Sequence, residues 1–231
     1  MIGWIFAVAV AIGTVYSWTR WQQLARAEFI RNYSFPRGLF EKLHARRPSL
    51  ETKDMQLVAR ALRQFFLAHL KSGRQYVSMP SQVADDLWHE FILYTRNYDA
   101  FCRRAFGRFM HHTPAVALGA GRQNNSGLRR VWWYSCKEEN INPAKPTRLP
   151  LLFALDAKLG IADGFVYTPD CSKVRERQDG TVHCGGDFSS SSVDGTTDGF
   201  GDPGSNDSGG SDGGGDSGSG CGGGGCGGGG D

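Results

Sequence analysis

Between Met55 and Leu70, apolar side chains recur three and four residues apart: Met55, Val58, Ala59, Leu62, Phe65, Phe66 and Leu70. At 3.6 residues per turn these positions share one helical face, so the segment reads as an amphipathic helix that needs a partner surface. Thr52 is the expected cap, Asp54 the expected first-turn acid, and Lys71-Ser72-Gly73 the expected end. Similar periodicity predicts a helix continuing through residues 19–35, a short one over Leu39–Ala45, and others at Ser81–Tyr94 and from Asn97 to about Phe106. Further helices are expected at Leu128–Asn140 and Leu151–Ala162. Pro36, Gly38, Pro48, Gly107 and Pro114 fall between these segments, where helices must stop. The expected architecture is mainly α, a helical bundle over residues 36–170.

Two flanking regions differ in kind. "IGWIFAVAVAIGTVYSW" (Ile2–Trp18) carries no charge, and as a helix it rises about 26 Å, near the short limit for a bilayer core of about 30 Å. Trp4 at one end and Tyr16, Trp18 and Trp21 at the other suit two interfaces, and Arg20, Arg26, Arg31 and Arg37 follow. The expectation is a single membrane span at 2–18 with its N-terminus out. The helical domain would then be cytoplasmic, in a bacterial inner membrane.

At the other end, residues 185–231 hold 21 of the 32 glycines, eight aspartates and no Lys or Arg. So little apolar surface cannot offset about 1–2 kcal/mol per residue of backbone ordering, and this tail is expected to be disordered. Removing its eight acids from the chain's 23 leaves 15 against all 26 Lys and Arg, a body of net charge +11. Anionic lipid headgroups are the expected partner of that charge. No nucleic-acid motif accompanies it, which argues against RNA or DNA. Asp179-Gly180 predicts a β-hairpin over 171–184.

The six cysteines, at 102, 136, 171, 184, 221 and 226, do not form a disulfide framework for a chain of this size. Cys102 lies on an apolar helical face and reads as buried rather than nucleophilic. Cys171, His183 and Cys184 lack knuckle spacing for zinc. Cys221 and Cys226 could pair or hold a soft metal, with an inert spacer as the default.

"WHEFIL" (Trp88–Leu93) begins like a zinc-protease helix. That motif needs a second histidine where this chain has Leu93, so the protease reading fails at an obligatory ligand. A different group remains. Asp85 and His89 are one turn apart, with Arg96 seven residues beyond on the same predicted face. If the two helices at 81–94 and 97–106 fold back on each other, His111 and His112 return toward Asp85 and His89. The result is a polar network pinning two helices, or a divalent-metal site with nitrogen and oxygen donors.

The stretch "VADDLWHEFILYTRNYDAFCRRAFGRFMHHTP" resembles the segment that defines the glycine-rich domain-containing protein-like family, through Asp85, Trp88, His89, Tyr98, Cys102, Phe106, Gly107, His111, His112 and Pro114. The likeness spans residues 36–115. Many members carry a second histidine two positions after the first; Phe91 stands there in this chain, as in the family's bacterial branch. "CGGGGCGGGG" is similar to Gly/Cys-rich tails of bacterial membrane proteins. The resemblance implies candidate positions and no established activity or cofactor. The functional expectation is a non-enzymatic interaction or scaffold module, with a metal-dependent enzyme or sensor on the Asp/His group as the alternative.

Overall fold

The computed structural model describes residues 2–112, 124–169 and 182–184. The elements are α1 (Ile2–Arg31), α2 (Arg37–Arg46), α3 (Thr52–Lys71), α4 (Gln82–Leu93), α5 (Thr95–Phe106), α6 (Asn124–Glu138), α7 (Leu151–Leu159), β1 (Val166–Thr168) and β2 (Val182–Cys184). The mainly helical expectation for the body therefore holds among the described residues.

The periodic segment forms α3, which buries 11 of its 20 residues and packs against α1, α2, α4, α6 and α7. One correction applies at its start. Thr52 is the first helical residue, and Glu51 is the cap, its N–H donating to Asp54 Oδ2 at 3.0 Å. Around α3 the aromatic rings interlock: Phe66 lies 4.8 Å from Phe101 and 6.0 Å from Trp88, and Phe91 lies 5.2 Å from Tyr98. Edge-to-face and tilted contacts of this kind contribute beyond area burial, about 0.5–1.5 kcal/mol per pair. Gly107 at φ +75° ends α5, and Phe109 just beyond it is 42% exposed.

The membrane expectation is overturned. Among the described residues no helix is long and apolar enough to cross a membrane. The uncharged run is one end of a 30-residue helix that becomes charged at Arg20 and joins the core through Ala27 and Ile30. The expected span at 2–18, the membrane and anionic-lipid partners and the single-pass localisation are withdrawn with it, while the helix expected to continue from residue 19 does so as far as Arg31.

Of the hairpin expected over 171–184, only the last three residues, β2, are among those described. Its expected turn, Asp179-Gly180, lies outside the described residues, and β2 pairs in parallel with β1, Val166 opposite Val182 and Thr168 opposite Cys184. Parallel strands cannot be joined by a two-residue turn and require a longer crossover. Pro114, Cys171, Cys221, Cys226 and the tail at 185–231 also lie outside the described residues.

Tertiary capping fixes the order in which helices position one another. The N–H of Leu151 donates to Glu139 Oε1 at 2.6 Å and that of Leu152 to Gln64 Oε1 at 3.0 Å, so Glu139, just past α6, and Gln64 of α3 together cap α7. From α7, Asp156 in turn caps α4. Its Oδ2 accepts from Gln82 N–H at 2.7 Å, and its Oδ1 accepts from Val83 N–H at 3.2 Å and from the Ser81 hydroxyl at 2.7 Å. A carboxylate here meets free N–H groups and the positive end of the helix dipole.

Candidate metal centre

Helix α4 starts at its Ser81 cap, whose Oγ accepts from Ala84 N–H at 3.3 Å. Four residues on, Asp85 projects from the second half-turn, and His89 stands one turn above it. Helix α5 runs back from Thr95, ends at the left-handed Gly107, and releases the segment that carries His112. Tyr98 fixes that segment. Its hydroxyl donates to the Met110 carbonyl at 2.6 Å and accepts from Trp88 Nε1–H at 3.2 Å, all within the core. The Trp88 indole also meets the His112 ring edge-on, with centroids 4.5 Å apart.

The outcome is a three-residue cluster. His112 Nε2 lies 3.0 Å from Asp85 Oδ1, and His89 Nδ1 lies 3.5 Å from Asp85 Oδ2. The two imidazole rings are 4.3 Å apart. One donor atom from each residue falls within 4.8 Å of the others, at half-buried positions. A transition-metal ion bound at about 2.0–2.2 Å from nitrogen and oxygen donors needs donor separations of this order. Two imidazoles and a carboxylate form the donor set of catalytic zinc sites and of facial-triad iron sites, which keep at least one coordination position open.

Not every expected residue joins. Helix α4 stops at Leu93, so Arg96 falls in the first turn of α5 and is exposed, away from the face it was expected to share. His111 points elsewhere, with its ring 4.9 Å from Phe109. Of the motif residues, Trp88, Tyr98, Cys102 and Phe106 are core, and Gly107 is the helix stop. Burial pushes the Cys102 thiol up and the Cys136 thiol up to about 12, so neither is a thiolate near neutral pH. Burial likewise pushes the Tyr98 phenol above its ordinary value.

Two contributors were not legible in sequence. Asp156 positions α4 from 71 residues beyond Asp85, and adjacent Asp86 turns away from the cluster to pair with Arg46 at 3.0 Å and Arg47 at 2.8 Å. One sequence signal exists for the second effect: neighbours on a helix are about 100° apart and cannot serve one site.

Asp85 and His112 also border a cavity of about 910 Å³, whose wall includes Ser81, Gln82, Trp88, Met110 and Tyr167. That volume is in the range of small-molecule sites.

The family model described as UCP032817-like matches residues 25–188. The chain belongs to the UCP032817-like family. No curated protein and no solved structure matches it. The stretch matched to the UCP032817-like family contains α2 to α7, all three cluster residues, Asp156 and the described cavity wall. It also takes in the last seven residues of α1 and both β-strands.

Proposed function

We propose that this chain is a metal-dependent binding or sensing protein whose helical domain holds one divalent transition-metal ion on Asp85, His89 and His112. The carrying observation is the mutual approach of one carboxylate oxygen and two imidazole nitrogens within 4.8 Å. Three protein donors leave coordination positions for a ligand, and the adjoining cavity supplies the space for one. The likeness of Asp85, Trp88, His89, His111, His112 and Pro114 to the glycine-rich domain-containing protein-like family, in its bacterial branch, directs attention to the same positions.

Without an ion, the same contacts serve a second reading. Asp85 bridges both histidines and so pins the segment after α5 onto α4, as an interaction module requires. Metal titration of the EDTA-treated full chain separates the two. Zn²⁺ or Co²⁺ should bind at about one ion per chain and Mg²⁺ far more weakly, since Mg²⁺ prefers an all-oxygen shell. Both His89→Ala and Asp85→Asn should lose the bound ion. Absence of stoichiometric Zn²⁺ or Co²⁺ binding, with His89→Ala only less stable, would leave the interaction module.

A further inference from the structure

Three guanidinium groups meet where α5 ends. Arg26 Nη1 and Arg74 Nη1 both donate to the Phe106 carbonyl, at 3.1 and 3.0 Å, and Arg108 Nη2 donates to the Arg74 carbonyl. Among the described residues, no carboxylate forms an ion pair with any of the three. The end of α5 offers only about half an elementary negative charge against three positive ones. Burial, and then the charges of Arg26 and Arg108, push the Arg74 guanidinium below its ordinary value.

Arg74 is also held in an unfavourable backbone conformation. Its φ is +62°, directly after Gly73 at +72°. Glycine and asparagine tolerate that region, and a long side chain is crowded there. A crowded arginine beside two others, with no counter-charge, is a arrangement that an anion relieves.

Arg74 and Arg108 line the same cavity as Val77, Met79, Trp88 and Phe109. The cavity therefore combines two guanidinium groups with an apolar wall, and Asp85 and His112 border it as well. Each guanidinium carries five N–H donors in a planar fork suited to carboxylate or phosphate oxygens, and one donor from each is used internally. We propose that the cavity binds an organic anion, its acidic headgroup on Arg74 and Arg108 and its aliphatic or aromatic body against Met79, Trp88 and Phe109. This does not depend on the metal reading.

The test uses the full chain in EDTA, so that a metal at Asp85 plays no part. Calorimetric titrations compare octanoate, octyl phosphate and the neutral octanol. At least one acid should bind about tenfold or more tightly than octanol, given the strength of charge-assisted forks; whichever acid binds tighter identifies the headgroup. In the R74N/R108Q variant that preference should vanish while octanol binding persists. Asparagine suits the left-handed backbone at 74, and Arg108 is exposed, so the variant is expected to fold. If octanol binding is lost as well, the single R108Q variant decides, with the acid preference expected to fall about threefold or more. Equal binding of octanol and both acids by the unaltered chain, or an acid preference undiminished in these variants, overturns the proposal.

Discussion

Replacing Asp156 by asparagine removes one charge from the junction between α7 and α4, and the consequence can be worked out atom by atom. Asp156 is 2% exposed and accepts four hydrogen bonds. Oδ2 takes the N–H groups of Gln82 at 2.7 Å and Phe165 at 2.9 Å. Oδ1 takes Val83 N–H at 3.2 Å and the Ser81 hydroxyl at 2.7 Å. An amide has one acceptor oxygen. Its best orientation keeps the Oδ2 pair and turns NH₂ toward Val83 N–H and the rotatable Ser81 hydroxyl. One buried N–H is then left without an acceptor, at about 1–3 kcal/mol, and two charge-assisted bonds become neutral ones, at about 1 kcal/mol each. The lost interaction with the helix dipole adds about 0.3–1 kcal/mol. The sum is a destabilisation of about 3–6 kcal/mol, which for a domain of this size lowers Tm by roughly 10–15 °C. Urea unfolding followed by far-UV circular dichroism measures it. Because α4 carries Asp85 and His89, Zn²⁺ affinity should fall in the same variant. A loss under about 1 kcal/mol, the size of one ordinary hydrogen bond, would refute Asp156 as the residue that sets α4 in place.

Other consequences are as direct. Gly164→Ala should destabilise by about 1–3 kcal/mol in the same unfolding assay, because its Cβ would stand 2.5 Å from Asp156 Cβ and 2.9 Å from Cγ, with no flexible chain end to yield. Tyr98→Phe leaves the Met110 carbonyl and Trp88 Nε1–H buried without partners, at a cost of about 2–4 kcal/mol by urea titration; unchanged stability would mean that water replaces the hydroxyl. Burial, opposed by its hydrogen bond to the Gln75 carbonyl and reinforced by the charges of Arg108 and Arg74, lowers the His69 pKa to about 4. The unfolded chain then binds a proton near pH 6.5 that the folded chain refuses until about 4, so stability is complete above 6.5 and falls by about 3 kcal/mol between those values. Unfolding free energies measured from pH 7 to pH 4 should show that slope, and a flat profile over this window would contradict the burial of a neutral His69.

The helices of the body were legible because each carries its own signal. Periodic apolar residues mark α3, Ser81 and Pro80 mark the start of α4, and Gly107 marks the end of α5. The spacing of Asp85 and His89 was equally plain. Which histidine would join them was not: His111 and His112 are adjacent, and only the path after Gly107, tied by Tyr98 to Met110, sends His112 inward and His111 to Phe109. The Ile2–Trp18 run misled because lack of charge over 17 residues says nothing about where the rest of the helix goes. The pairing of β2 with β1 carried no signal in the sequence, because a turn dipeptide specifies only local backbone, whereas strand pairing is decided by what lies beside the strand.

By itself the sequence determined a mainly helical body and an acid–imidazole pair on one helical face, because both follow from 3.6 residues per turn and need only near neighbours. Tertiary structure alone decided that Gln64 and Glu139 cap α7, that Asp156 caps α4, and that His112 completes the cluster. Those contacts join residues from 12 to 88 positions apart, and nothing in local propensity encodes them. They exist because buried N–H and carbonyl groups must find partners wherever the packed helices bring one within reach.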